Sequence, residues 1–179
     1  MSDLMRPWEE LSSEQVFNKY GRSVEKKIFR LPDGKETDFY LFGRCECIAC
    51  VAMTEDKQII LVKQFRPGPK RMLLELPGGG LVVGESVEEA MARELLEETG
   101  YRGDISFVTN VIPDAYAMYT KNAFVATNCH KIAEPKLEDN GERVDVELMS
   151  LGEFRTHLRS GALSDVEIGY LGLDFLGLL

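Results

Sequence analysis

The stretch Gly79–Tyr101, GGLVVGESVEEAMARELLEETGY, specifies both ends of a helix and gathers charge on one of its faces. Ser86 followed three residues later by Glu89 is a capping box, in which hydroxyl and carboxylate each take a backbone N–H at the helix start. Val87, Met91 and Leu95 recur at four-residue intervals with Ala90 beside them, which makes one apolar face. Gly100 after Thr99 suits the left-handed residue that ends a helix. The pattern predicts a helix over 87–99. Glu94 and Glu98 are four apart and Glu94 and Glu97 three apart, so the three carboxylates lie together. Like charges at this spacing destabilise a helix and raise one another's pKa. A hard divalent cation with oxygen ligands relieves that repulsion, so Mg²⁺ is the expected occupant and Mn²⁺ its alternative. Arg93 can pair with a neighbouring carboxylate and hold the cluster. Gly78-Gly79-Gly80, just before, reads as a loop that permits close backbone approach, so a carbonyl there can reach a metal.

Working outward, 30 acidic and 21 basic residues give the 179-residue chain a formal charge of −9. With 44% hydrophobic and 28% charged residues it reads as a globular chain of single-domain size. The excess negative charge argues against nucleic-acid or anionic-lipid partners. No apolar run approaches the roughly 18 residues of a spanning helix, and MSDLMRPWEELSSEQ has no secretory pattern, so the expectation is a cytoplasmic protein. Cys45, Cys47, Cys50 and Cys129 read as reduced thiols. Cys47-x-x-Cys50 has no second such pair to complete a zinc site, and CECIACVAM reads as a buried strand with Cys45 and Cys47 on one face. Other glycine motifs fail: Gly84 is followed by Glu85-Ser86, not the Lys-Ser/Thr of a P-loop, and Val83 stands where a dinucleotide fingerprint needs glycine.

The remaining elements come mostly in hairpins. Residues 8–20 are amphipathic or irregular. SVEKKIFRL and ETDFYLF flank Pro32-Asp33-Gly34-Lys35, a hairpin turn, and CECIACVAM and QIILVKQF flank Thr54-Glu55-Asp56-Lys57. MLLELP, ISFVTNVI, NAFVATNC and VDVELMS read as strands, with helices over 151–160 and 165–179. This alternation predicts an α+β fold around a mixed sheet. The first forty or so residues form a small β appendage, which divides the chain into 1–43 and 44–179.

From Gly79 to Gly100, the glycine, Glu85, the Arg93-Glu94-Leu95 triplet, the Glu97-Glu98 pair and the closing glycine resemble the Nudix hydrolase signature, which departs only at Tyr101, where an aliphatic residue is usual. Val62-Lys63-Gln64-Phe65-Arg66-Pro67 and Leu74-Glu75-Leu76-Pro77-Gly78-Gly79 further resemble the ADP-ribose and nucleotide-sugar pyrophosphatases of that family. The resemblance implies an α/β/α sandwich and hydrolysis of the pyrophosphate bond in a nucleoside diphosphate linked to X, releasing a nucleoside monophosphate and a phosphorylated product. It also implies a homodimer formed through the N-terminal strands. Carried over by position, Glu94, Glu97, Glu98 and the Gly78 carbonyl are the metal ligands, Arg93 the orienting arginine and Glu85 a structural support. Glu142, with Glu138 second, matches the catalytic base. Arg66 suits phosphate or ribose oxygens; Gln64, Glu75 and Gly79 join it as substrate-side residues, with solvated sheet-edge positions as the alternative for Arg66, Gln64 and Glu75. Phe39 and Tyr40 are base-stacking candidates, with strand packing as the alternative.

Downstream, Pro113-Asp114-Ala115-Tyr116 lacks the Ser-Pro-Gly-like turn of ADP-ribose-specific members, so ADP-ribose and nucleotide sugars stand as alternatives. A house-cleaning nucleoside triphosphate pyrophosphatase and a non-catalytic nucleotide-sensing module are the other readings.

Overall fold

The computed structural model describes residues 5–136 and 144–179, and they divide into two compact units. One comprises the segment ending at Glu46 together with Ile112–Thr120. It holds strands β1 (Glu9–Lys19), β2 (Arg22–Arg30) and β3 (Glu36–Arg44) in an antiparallel sheet of that order. The turn between β2 and β3 is built as expected: Gly34 sits at φ 85°, and the Leu31 N–H donates to the Lys35 carbonyl at 2.8 Å.

β1 corrects the irregular reading of residues 8–20. Two bulges, at Glu10/Ser12 and Gln15/Phe17, break its period of two, so no alternating pattern survives in the sequence. Ion pairs across the ladder, Glu10–Lys27 at 3.1 Å and Glu9–Arg30 at 2.8 Å, accompany its backbone bonds. Phe39 packs against Trp8, Phe29 and Tyr116, with ring centroids 5.2, 5.8 and 6.4 Å away, whereas Tyr40 is exposed. Ile112–Thr120 lies along β3, where the Phe42 N–H donates to the Tyr116 carbonyl and the Met118 N–H to that of Phe42.

The second unit, Cys47–Val111 with Lys121–Leu179, is built on a seven-stranded sheet. Its strands are β4 (Cys47–Thr54), β5 (Gln58–Arg66), β6 (Arg71–Glu75), β7 (Gly78–Gly80), β8 (Tyr101–Val111), β9 (Lys121–Lys131) and β10 (Asp145–Ser150). The order is β10-β5-β4-β9-β8, with β6 on β5 and β7 on β4; only β4 and β9 run parallel. Helices α1 (Val87–Thr99), α2 (Leu151–Ser160) and α3 (Val166–Phe175) cover both faces. Alternation along β4 shows how. Ile48, Cys50 and Ala52 pack with Ala90, Met91 and Leu95 of α1, while Ala49, Val51 and Met53 pack with Phe154, Leu158, Ile168 and Leu173 of α2 and α3. Each fully buried large side chain contributes about 1.5–3 kcal/mol. The fold is α+β with a mixed sheet between helices and a small antiparallel N-terminal sheet, in agreement with the sequence.

Three local expectations change. The glycine run is a strand, not a loop: Gly78, Gly79 and Gly80 pair with Ala49, Ile48 and Cys47. A Cβ on Gly78 would lie 2.1 Å from the Ile48 carbonyl oxygen, so only glycine lets the two backbones approach this closely. β4 begins at Cys47, so Cys45 shares no strand face with it; Cys45 is exposed and its N–H donates to the Gly21 carbonyl. The last helix stops at Phe175, and Gly177 follows at φ 67°.

The end of α1 is fastened by the chain beyond β9. Gly100 caps the helix at φ 75°, and its carbonyl accepts the N–H groups of Ile132 at 2.9 Å and Ala133 at 3.2 Å. Replacing Gly100 with Ala is expected to destabilise the protein by at least the roughly 1–2 kcal/mol of a left-handed non-glycine residue. A new Cβ would also meet the Ala133 carbonyl oxygen at 2.1 Å. Chemical denaturation measures the loss, and an unchanged midpoint contradicts this account of the cap.

Candidate active site

The capping box forms as read: the Glu89 N–H donates to Ser86 Oγ at 3.2 Å, and the Ser86 N–H to Glu89 Oε2 at 2.9 Å. Ala90, Met91 and Leu95 of α1 are buried, and Arg93, Glu94 and Glu98 meet the glycine strand β7, with Glu97 beside them. Arg93 organises them. Its Nε and Nη2 donate to the two oxygens of Glu85, at 2.8 and 3.0 Å, a fork-to-fork pair. Nη1 reaches Glu94 Oε1 at 2.7 Å and Glu97 Oε2 at 3.3 Å, and Nη2 also donates to the Gly80 carbonyl at 3.2 Å. One guanidinium therefore ties the loop glutamate, two helix carboxylates and the glycine strand together. Arg93 holds the Glu85 carboxyl below its usual range, and these acids in turn strengthen the hold of Arg93 on its proton.

The glycine strand also meets the helix directly. The Gly78 N–H donates to Glu98 Oε2 at 2.8 Å. A Cβ on Gly79 would stand 2.5 Å from the Glu94 carboxyl carbon, so glycine leaves that carboxylate its place. Burial pushes the Glu98 carboxyl up to about 8; the Gly78 N–H works against the rise, and the negative charge of Glu94 adds to it.

The substrate-side candidates fall on the same face of the sheet. Ile60 of β5 packs with the α1 cluster, and the two-residue period carries Gln64 and Arg66 to that side. Glu75 stands opposite Val62 in the β5–β6 ladder and shares that face. Arg66 Nε donates to Glu75 Oε2 at 2.5 Å, and Glu75 is only 4% exposed. The charges of Arg66 and Glu75 both act on Glu98, in opposite senses. Gln64 is buried as well, so neither it nor Glu75 is a solvated sheet-edge group.

Sequence reasoning missed Lys136, whose Nζ donates to Glu97 Oε1 at 2.8 Å and which, with Arg93, holds the Glu97 carboxyl below its usual range. A lone lysine far along the chain carries no signal for this contact. Glu138 and Glu142 lie outside the described residues.

An all-oxygen set of Glu94, Glu97, Glu98 and the Gly78 carbonyl has the chemistry a hard divalent cation requires, and the raised carboxyl of Glu98 is one that such a cation would relieve. Among the described residues no group of three or more His, Cys, Asp or Glu side chains is arranged to hold a metal ion. Glu94 and Glu97 are instead engaged by Arg93 and Lys136.

Residues 43–167 match the family model described as NUDIX domain. An ADP-ribose pyrophosphatase of Bacillus subtilis (strain 168) is 30% identical over 167 residues, covering 90% of this chain and 86% of that protein. A methanol dehydrogenase activator of Bacillus methanolicus is 28% identical over 175 residues, covering 92% of each. Among solved structures, an ADP compounds hydrolase superposes with a TM-score of 0.78 at 22% identity, over 97% of this chain and 98% of that one, a likeness of fold.

The position of Glu98 has a pH consequence. Its folded-state pKa of about 8 lies above the ordinary 4.5, so between those values the folded chain keeps a proton that the unfolded chain has lost. Stability of the metal-free protein therefore falls as pH rises through that window. Glu85 and Glu97, held low by Arg93 and Lys136, act in the opposite sense, and their contribution is lost only as pH falls below the usual carboxylate range. Thermal unfolding in chelator is expected to show the decline, and Glu98→Gln to flatten it. An equal slope in both proteins contradicts the assignment to Glu98.

Proposed function

The chain belongs to the Nudix family and is a Nudix pyrophosphohydrolase, and on that premise we propose that it hydrolyses the pyrophosphate bond of ADP-ribose or an ADP-sugar in a Mg²⁺-dependent reaction. The products are a nucleoside monophosphate and a phosphorylated sugar. The observation that carries this reading is Arg93 holding Glu85, Glu94, Glu97 and the Gly80 carbonyl against the glycine strand. Support for the substrate class comes from the similarity to the Bacillus subtilis ADP-ribose pyrophosphatase over most of both chains and from a mouse ADP-sugar pyrophosphatase, 54% identical over 48 residues.

Glu94, Glu97, Glu98 and the Gly78 carbonyl are the proposed ligands of the divalent cation, Mg²⁺ or alternatively Mn²⁺. When bound, such cations neutralise the diphosphate and lower the pKa of an attacking water. The protein supplies placement. Arg93 orients the acidic face of α1, and Gly78 and Gly79 let the strand backbone stand beside Glu98 and Glu94. Glu75 fixes the guanidinium of Arg66 through Nε, which leaves the Nη groups as the natural donors to phosphate or ribose oxygens. Gln64 and Gly79 complete the substrate side. Glu142 is proposed as the base by its position in the sequence alone.

The N-terminal extension, residues 1–43, is proposed as the dimerisation element. The exposed Val16, Phe17, Tyr40 and Phe42 on its strands support that role. A cytoplasmic location belongs to the same reading; no helix among the described residues is long and apolar enough to cross a membrane.

Purified protein with Mg²⁺ or Mn²⁺ is expected to turn over ADP-ribose or an ADP-sugar ahead of NADH, diadenosine polyphosphates and nucleoside triphosphates. Absence of turnover across this panel would sink the proposal, and a preference for triphosphates would move it to the house-cleaning activity. Glu98→Gln is expected to lower kcat by orders of magnitude while circular dichroism shows the fold intact. Near-normal turnover in that variant contradicts the ligand assignment.

A further inference from the structure

Glu97 is held by two cationic side chains at once. Arg93 Nη1 donates to Oε2 at 3.3 Å, and Lys136 Nζ donates to Oε1 at 2.8 Å. Lys136 is not part of α1. It lies five residues beyond the end of β9, in the segment whose backbone closes over the last turn of that helix. There the N–H groups of Ile132 and Ala133 donate to the Gly100 carbonyl, and the Lys136 N–H donates to the Glu97 carbonyl at 2.8 Å. These backbone bonds hold residue 136 beside Glu97 whatever its side chain does.

The ammonium itself is free to leave. The Lys136 side chain is 71% exposed and that of Glu97 33%, so the pair is a solvated contact on a well-fixed backbone. A lysine ammonium on a carboxylate oxygen meets the same electrostatic demand as a divalent cation. The two repel each other if both remain, and the lysine returns to water if it is displaced. In either case its charge works against cation binding.

We infer that Lys136 is an internal counter-ion of the carboxylate cluster, occupying Glu97 in the absence of a divalent cation and lowering the affinity of the cluster for one. This rests on the reading of Glu94, Glu97 and Glu98 as cation ligands. It accounts for how two of the three clustered carboxylates are engaged: Arg93 on Glu94, Arg93 and Lys136 on Glu97. It also makes cation demand a property that one exposed residue sets, separately from the residues that meet substrate.

The test is Mn²⁺ affinity, read from the electron paramagnetic resonance signal of free Mn²⁺ without substrate. Lys136→Met keeps the stem and the backbone bond and removes the charge. It is expected to bind Mn²⁺ about two- to five-fold more tightly, the span of an exposed ion pair at tenfold per roughly 1.4 kcal/mol. Lys136→Arg, which keeps the charge, is expected to match the parent protein. In a Glu97→Gln background, Lys136→Met is expected to bring no gain. Unchanged or weaker Mn²⁺ binding by Lys136→Met overturns the proposal, as does the same gain in the Glu97→Gln background, which marks a general charge effect. A parent protein that binds no Mn²⁺ overturns it as well. ADP-ribose turnover measured alongside separates this from the hydrolysis reading. Tighter Mn²⁺ binding without turnover leaves the counter-ion standing and removes the activity; turnover with no affinity change does the reverse.

Discussion

Arg93 is the only basic residue within α1, and it stands among five glutamates of that helix. Without it, Glu94, Glu97 and Glu98 would crowd like charges onto one face of the helix, an arrangement that opposes the helix itself. The guanidinium fork resolves this by geometry as much as by charge. Its two edges face different partners, so one group can hold Glu85 across one edge, Glu94 and Glu97 from another, and still reach the Gly80 carbonyl. A lysine, as a point charge, could not address four groups in fixed directions. The loop before the helix, the helix and the glycine strand are thereby held in one register, and every proposed ligand takes its position from that register.

The second constraint is the closeness of β7 to β4. Gly78 permits the backbones to approach, and this brings its N–H to Glu98 and leaves room for Glu94 beside Gly79. Beneath them β4 is buried on both faces, Ile48, Cys50 and Ala52 toward α1 and Ala49, Val51 and Met53 toward α2 and α3. A strand buried from Cys47 to Met53 is therefore the floor on which the charged groups are set. Burial of Glu98 itself is what raises its carboxyl. Packing and electrostatics are here one fact: the core that stabilises the sheet removes water from one side of the site.

The limits of reading the chain as text follow from the range of each interaction. α1 was legible to the residue because Ser86, Glu89 and Gly100 act within a few positions of one another. The hairpin around Asp33-Gly34 was legible for the same reason. β1 was not, because its two bulges erase the alternation and its ion partners Lys27 and Arg30 come from the next strand. The glycine run looked like a loop because nothing local shows that a strand some thirty residues earlier lies against it. Glu75 and Gln64 read as possible edge groups because polar residues on a strand give no sign of burial; the ladder of β5 with β6 and the cover of α1 decide it.

The sequence by itself determined the chemistry: which carboxylates share a helix face, which arginine accompanies them, and where glycine frees the backbone. These follow from spacing along a regular helix and from the steric freedom of one residue type, both local properties. Only the tertiary structure decided how those groups are engaged. The pairing of Arg66 with Glu75, the contact of Gly78 with Glu98 and the arrival of Lys136 at Glu97 join residues 9, 20 and 39 positions apart. Such contacts arise from strand register and from the path the chain takes around α1, and register is set by which side chains the core must bury.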